Sequence, residues 1–489
     1  MTIKTINIIL LIFCVNLSFA QQTFEKLISN PEDQIINDVV EDGEGNYLLV
    51  GRVHQIENNY SSGYLIKIDS LGNLMHNGLI QETDTSSCQF FNIHYYNNNI
   101  YVLGSKWINY PNISKLWYIK LNSTLEIVDE KLFNVPTGKW FSYMNSIIDS
   151  DNNLVLAGYT GRIDNQQEYH IDPAFYKISL NGDSISSNFM SEAQVHRLAF
   201  DIIENPDNTA YYAFVSRFDN SSVGDKVILN RNLDSINIQP IPLGIFDNYS
   251  PIYLTDSSIL LCGNGSPYES ELYALNVISI NDQTELIDYN YFKINDNMRD
   301  HPAVYNGVSK NGDNIYIGGT SNFDYNNPFY SSMDSWFHLI KINPDITPIW
   351  EYWYGGDAYY QLYSILATSD GGCLMVGNRY DDETQNGERD VYIAKVNSDG
   401  LIVWTREIEV NNNPSAIYPN PGTNSLQVKT YQKEWLVTLF NLNGQMIIKQ
   451  LVDSDNNTID TQMLKPGMYF YRLTDLKNKT LDSGKWVKQ

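Results

Sequence analysis

The chain repeats itself, and the repeat decides what it can fold into. One unit is plain near the C-terminus. Trp350 to Gly355 reads WEYWYG, Tyr363 to Ala367 reads YSILA, and Ser369-Asp370-Gly371-Gly372 follows. Then come Cys373 to Gly377 (CLMVG), a polar loop, Asp390 to Asn397 (DVYIAKVN) and a closing Ser398-Asp399-Gly400. Each apolar segment is short, rich in β-branched or aromatic residues, and bounded by Asp, Asn or Gly. That is the pattern of strand, turn and strand.

The strand ending in Gly recurs as YLLVG at 47–51, IYVLG at 100–104, LVLAG at 154–158, ILLCG at 259–263, IYIGG at 315–319 and CLMVG at 373–377. A degenerate copy, AYYAFVS, lies at 210–216. The next strand recurs as YLIKID at 64–69, LWYIKLN at 116–122, AFYKIS at 174–179, HLIKIN at 338–343 and VYIAKVN at 391–397, with weaker copies at 226–232 and 276–281. Seven units of roughly 50–60 residues result, each with about four strands. A four-stranded unit cannot bury both faces alone, so neighbours must stack. The expectation is an all-β protein with a seven-bladed β-propeller. A solenoid needs shorter coils, and a string of sandwiches needs about 90–100 residues per unit. Two segments resemble the strand that would close the ring, Thr23 to Leu27 and Trp404 to Ile408.

Trp350 to Gly355, Ser369 to Gly377 and Asp390 to Gly400 resemble the W-x-x-x-x-G, S-D-G-G-Y-x-x-x-G and D-x-x-x-x-K-x-D-x-x-G units of a bacterial surface family of tandem propeller repeats. Units four and five match that pattern poorly. The resemblance implies a fold for residues 21–410 and says little about function.

Both ends carry addresses. Residues 1–20 read as a signal peptide: Lys4, the apolar run Ile8 to Val15, and small residues at Ser18 and Ala20, with cleavage between Ala20 and Gln21. The run is too short to span a bilayer. A polar linker at 411–416 leads to Tyr418-Pro419-Asn420-Pro421, whose prolines mark an extended entry. Short alternating strands follow, with turns at Asn443-Gly444 and Lys465-Pro466-Gly467. Residues 417–489 therefore read as a small Ig-like β-sandwich. Tyr418-Pro419-Asn420-Pro421, Leu439 to Gly444, Gly467 with Tyr469, and Gly484-Lys485-Trp486-Val487-Lys488 closely resemble the type A sorting domain of the type IX secretion system. The resemblance implies a Bacteroidota-type source, recognition by the outer-membrane translocon, removal of the domain after crossing, and release or attachment to surface lipopolysaccharide.

Charge narrows the partners. Lys+Arg total 32 against Asp+Glu 57, so nucleic acid is excluded as a partner for want of a basic patch. Of four Cys, Cys14 lies in the signal peptide, and Cys88, Cys262 and Cys373 show no metal or redox spacing. They read as small apolar core residues, with one disulfide left open.

No catalytic or metal constellation emerges. The seven His are scattered, and neither HExxH nor GxSxG occurs. The acidic turns Glu41 to Gly45 and Asp149 to Asn153 invite calcium, but they lack the ligand count of a calcium loop and read first as connectors. Ser369 to Gly372 resembles a sialidase Asp-box without its following aromatic. Asp69-Ser70-Leu71, Asp183-Ser184-Ile185 and Asp234-Ser235-Ile236 resemble a Bacteroidota O-glycosylation pattern.

Topology places a binding face. In a four-stranded antiparallel blade, the loops between strands two and three share an end with the loops joining blades. Those loops are long here and carry Trp107, Tyr110, Tyr159, Tyr169, His170, Tyr268, Phe323, Tyr325 and Tyr380, with Trp140, His301 and Asp357 between blades. Loops on a rigid scaffold carry function. The expected function is a secreted or surface binding protein for a glycan or protein. The alternatives are a carbohydrate-active hydrolase or lyase with carboxylates in the propeller funnel, and a passive surface element.

Overall fold

The computed structural model describes residues 21–56, 60–80, 86–108, 113–134, 140–163, 169–190, 196–217, 223–244, 247–264, 273–295, 298–385, 387–403, 416–429, 434–441, 446–453, 457–474 and 480–489. Two compact units divide at Ile402 and Val403.

The first unit is a ring of seven antiparallel sheets. Blade 1 runs from the axis outward through Asp33–Glu41, Tyr47–Gln55, Tyr60–Ile68 and Leu74–Ile80. The innermost strands of blades 2 to 5 are Ser86–Tyr96, Trp140–Ile148, Arg197–Glu204 and Asp247–Thr255. Blade 6 splits its inner strand into His301–Pro302 and Val308–Asn311, both paired to Asn314–Ser321. Blade 7 comprises Tyr359–Ala367, Cys373–Tyr380 and Asp390–Val396. Its fourth, outermost strand is Phe24–Ile28, with Phe24 opposite Lys395 and Ile28 opposite Val391. The N-terminal candidate thus closes the ring. Trp404 to Ile408 lies outside the described residues, as does the signal peptide with Ala20. Gln21 is described, and its Oε1 accepts from Ser398 N at 2.7 Å.

The repeat strands are apolar without alternation because both faces are buried, one against each neighbouring blade. In YLLVG, Tyr47 and Leu49 pack with Leu374, Val376 and Ile393 of blade 7. Leu48 and Val50 pack with Phe90, Val102 and Trp117 of blade 2. One apolar cluster fills each seam around the ring. Cys88, Cys262 and Cys373 are free and buried in these seams, and burial pushes the Cys88 thiol up to about 11.

The repeat Gly has a steric cause. A β-bulge interrupts the inner strand opposite it, between Ile36 and Asp38 in blade 1 and between Phe90 and Asn92 in blade 2. The bulge drives a carbonyl into the second strand. A Cβ on Gly51 would sit 1.8 Å from Ile35 O, and one on Gly104 would sit 2.1 Å from Gln89 O.

The repeat Lys and turn Asp also explain one another. Lys67 lies 2.9 Å from Asp42, Lys177 3.0 Å from Asp149 and Lys395 3.0 Å from Asp370, each pair within one blade. Asp149 also accepts from Tyr211 Oη at 2.6 Å. Burial pulls its carboxyl upward, but the Tyr211, Asn153 and Lys177 donors outweigh that and hold it below the usual range. The carboxylates of the two acidic turns are thus engaged by side chains and turn amides. Among the described residues, no group of three or more His, Cys, Asp or Glu is arranged to hold a metal ion.

The second unit pairs a sheet of Ala416–Tyr418, Ser425–Lys429 and Thr458–Asp460 with one of Met446–Asp453, Glu434–Phe440, Gly467–Thr474 and Thr480–Lys488. Leu426, Val437, Leu439, Ile459 and Trp486 fill the space between them.

Candidate functional site

An innermost strand has one edge without a strand partner, so its polar backbone must be satisfied otherwise. Side chains at the bulges do this from blade to blade. Asp38 Oδ2 of blade 1 accepts from Asn92 Nδ2 (3.2 Å) and Ile93 N (3.1 Å) of blade 2. Ser146 of blade 3 donates to Asn92 Oδ1 at 3.3 Å and lies 2.6 Å from His94 Nε2. Asn145 Nδ2 donates to Asp201 Oδ2 of blade 4 at 2.8 Å, and Gly307 N of blade 6 donates to Ser250 Oγ of blade 5 at 2.7 Å. Ser364 of blade 7 returns to Asn37 O of blade 1 at 2.8 Å.

Blade 6 departs from this pattern. Ala303 N still donates to Gly318 O of its own sheet at 3.1 Å, but residues 304–306 leave that sheet and join the inner strand of blade 7. Tyr305 N donates to Tyr363 O at 2.9 Å, and Asn306 bridges Ser364 in parallel. The Tyr305 ring meets Phe91 of blade 2 at 6.2 Å and Tyr363 of blade 7 at 6.0 Å. Three blades therefore touch ring to ring at the centre.

Beside this cluster is a cavity of about 620 Å³, lined by Asp38, His94, Asn145, Ser146 and Asp201 among aliphatic residues such as Ile93, Ile202 and Ile252, with Lys310 at its rim. Burial raises Asp38 to about 7, against the hydrogen bonds it accepts. Burial also pushes Asp201 well above the carboxylate range, and the Asp38 charge adds to the shift. Burial lowers His94 to about 4, so its imidazole is neutral. The lining thus offers two carboxyls whose hold on a proton burial strengthens, a neutral imidazole, amides and hydroxyls.

The cavity opens at the end carrying the tight turns, opposite the long loops. The sequence reading missed it, yet a signal existed. Asp38, Asn92, Asn145, Asp201, Ser250, Asn306 and Ser364 occupy one repeat position, polar in all seven units. In six of those units the preceding residue is Phe, Tyr or Met; in blade 1 it is Asn37.

At the other end, the structure gathers some of the candidate residues and separates others. His301 stacks on Phe323 at 4.4 Å, and Tyr325 meets both edge-on. Phe323 is buried, and Tyr325 Oη donates to Asp300 O at 2.9 Å. Tyr380 packs edge-on to Tyr330 at 5.4 Å. His170 is buried and stacks on His196 at 5.6 Å. Trp107 and Tyr159 are half-buried in blades 2 and 3. Asp357 is exposed between blades 6 and 7. Tyr110, Tyr268 and the side chains of Trp140 and Tyr169 lie outside the described residues.

In the C-terminal unit, the predicted sorting motifs meet. Trp486 Nε1 donates to Pro419 O at 2.8 Å, Asn420 Nδ2 to Lys485 O at 2.8 Å, and Val487 N to Asn420 Oδ1 at 3.0 Å. Tyr469 lies 6.1 Å from the Trp486 ring, and a Cβ on Gly484 would sit 2.6 Å from Tyr471 Oη. Tyr418 and Pro421 are exposed, and Gly467 has a φ of 152°. Residues 416–489 match the family described as a secretion system C-terminal sorting domain.

The C-terminal unit is a type IX secretion sorting domain. It makes this a secreted or cell-surface protein of Bacteroidota type, handled by the type IX system. No helix among the described residues is long and apolar enough to cross a membrane. No curated protein shows a significant match.

The chain is similar to several solved structures. The β-propeller domain of the Trilobed protease from Pyrococcus furiosus is 9% identical, with a TM-score of 0.42, covering 77% of this chain and 97% of that one. A protein of unknown function from Dyadobacter fermentans is 8% identical, with a TM-score of 0.46, covering 76% and 97%. The Phage phi92 endosialidase is 11% identical, with a TM-score of 0.43, covering 95% and 87%.

Proposed function

We propose that this is a carbohydrate-binding protein, secreted or held at the cell surface, that takes a neutral, hydroxyl-rich ligand at the tight-turn end of its central channel. One observation carries the reading: a cavity of about 620 Å³ whose lining mixes carboxyls, amides, hydroxyls and an imidazole with aliphatic side chains. Hydroxyls need both donors and acceptors, which the Asp201 carboxyl, Asn145, Ser146 and His94 supply. The C–H faces of a sugar need the isoleucines. After sorting, attachment to surface lipopolysaccharide would place this cavity outside the cell.

The test is a glycan array on residues 21–489, with calcium and then with chelator. Specific binding, weakened about tenfold or more by Asp201→Ala or His94→Ala, is expected. Binding that ignores both substitutions removes the channel reading. Loss under chelator alone would make the binding calcium-dependent and overturn a metal-free channel site.

A second reading, an extracellular glycoside hydrolase or lyase, has one observation in its favour. Asp38 and Asp201 line the same cavity, and burial raises both carboxyls. An ionised Asp38 beside a protonated Asp201 would supply one base and one acid. Product release from a bound glycan, abolished by either Asp→Asn, would establish it.

A further inference from the structure

Asp357 was singled out by sequence and takes no part in the channel. It follows Gly355 and Gly356, whose φ values of 96° and 88° suit glycine. The glycines are also sterically required, since a Cβ would sit 2.8 Å from the Tyr360 ring at Gly355 and 1.9 Å from Trp336 Nε1 at Gly356. This turn packs on two aromatic rings and presents Asp357 with its side chain 72% exposed.

Around it lies a cleft of about 350 Å³, lined by Glu25, Lys26, Asp357, Tyr360, Arg379 and Tyr392. Tyr360 Oη donates to Asp357 Oδ1 at 2.5 Å and accepts from Arg379 Nε at 3.2 Å. Arg379 also reaches Asp381 Oδ2 at 3.2 Å and stands 3.6 Å from Asp357 Oδ2. Tyr392 Oη donates to Glu25 Oε1 at 2.8 Å, and its ring lies 4.8 Å from that of Tyr360. Carboxylates and cations thus alternate over a tyrosine pair. An anion would face Asp357 and Glu25, and a cation would face Arg379 and Lys26. A neutral polyol meets neither penalty: its hydroxyls donate to the carboxylates and accept from the guanidinium.

We infer that this cleft is a second carbohydrate subsite, at the long-loop end of the seam between blades 6 and 7. The inference rests on the carbohydrate reading of the protein but on different residues. The two cavities open at opposite ends of the propeller, so both can be filled at once.

The test titrates residues 21–489 with neutral monosaccharides and disaccharides of glucose, galactose, mannose and N-acetylglucosamine, reading stoichiometry by native mass spectrometry. Two equivalents are expected. One falls about tenfold or more in affinity with Asp357→Asn or Arg379→Met, the other with Asp201→Ala. Asp357→Asn is exposed and spares the fold, which the melting temperature checks. A single equivalent lost only in Asp201→Ala overturns the rim site and leaves the channel. A single equivalent lost only in the Asp357 and Arg379 variants overturns the channel reading instead. No binding of any sugar overturns both.

Discussion

Arg389 forks onto Asp33, with Nε 2.7 Å from Oδ1 and Nη2 2.7 Å from Oδ2, across 356 residues of sequence. Arg389 belongs to blade 7 and Asp33 opens blade 1, so this buried pair latches the seam that the N-terminal strand also closes. Removing one partner strands the other charge. Arg389→Ala should cost about 3–5 kcal/mol, whereas Asp33→Asn with Arg389→Met should cost much less. Urea unfolding of the three proteins checks this. Equal losses in the single and double variants would show that packing, not charge, holds the seam.

The repeat glycines make a second prediction. Gly104→Ala and Gly377→Ala each place a Cβ 2.1 Å from a backbone carbonyl oxygen that the bulge fixes in place. Each should destabilise by at least about 1–3 kcal/mol. Gly312→Ala is the control: its φ is 57°, but nothing lies within 4 Å. Its cost should stay near 1 kcal/mol, that of a left-handed alanine. Thermal melts that rank Gly312→Ala as the worst would refute the bulge account.

Asp38 ties stability to pH. Its carboxyl ionises near 3.8 when unfolded and at about 7 when folded. The folded state therefore holds a proton that the unfolded chain gives up, and this contribution is full below pH 4 and lost as pH rises through 7. Asp38→Asn keeps an acceptor for Asn92 and Ile93 and removes the titration. It should be the more stable protein at pH 8 and show no advantage at pH 4. The opposite order in melting temperature would place the ionised carboxylate in the native state.

Much of this was legible because it was periodic. The Gly-ended strands, buried on both faces, announced the blades. The turn prolines and Gly484-Lys485-Trp486 announced the sorting domain. Ring closure was not legible, since Thr23 to Leu27 and Trp404 to Ile408 share one pattern and only pairing with Asp390–Val396 separates them. The channel was hidden for a different reason. An aspartate such as Asp38 or Asp201 looks like any surface carboxylate until the bulge turns it inward. Aromatic residues in loops drew the eye instead, and Phe323 and His170 prove buried.

His338 gives the last prediction. It is fully buried, with Nε2 2.7 Å from Glu351 Oε1, Nδ1 3.6 Å from Asp300 Oδ2, and its ring stacked 4.9 Å from Trp353. Burial alone would lower its pKa, but the nearby Asp300 carboxylate and the hydrogen bond to Glu351 outweigh burial and raise it above 6.5. The imidazolium's contribution is therefore full below pH 6.5 and lost as pH rises through the higher folded value. This window begins where that of Asp38 is closing, so the two can be separated. Glu351→Gln should lose about 1–3 kcal/mol at pH 6 and less at pH 9. A loss that is the same at both values would mean that His338 is neutral in the fold and that Glu351 acts by packing alone.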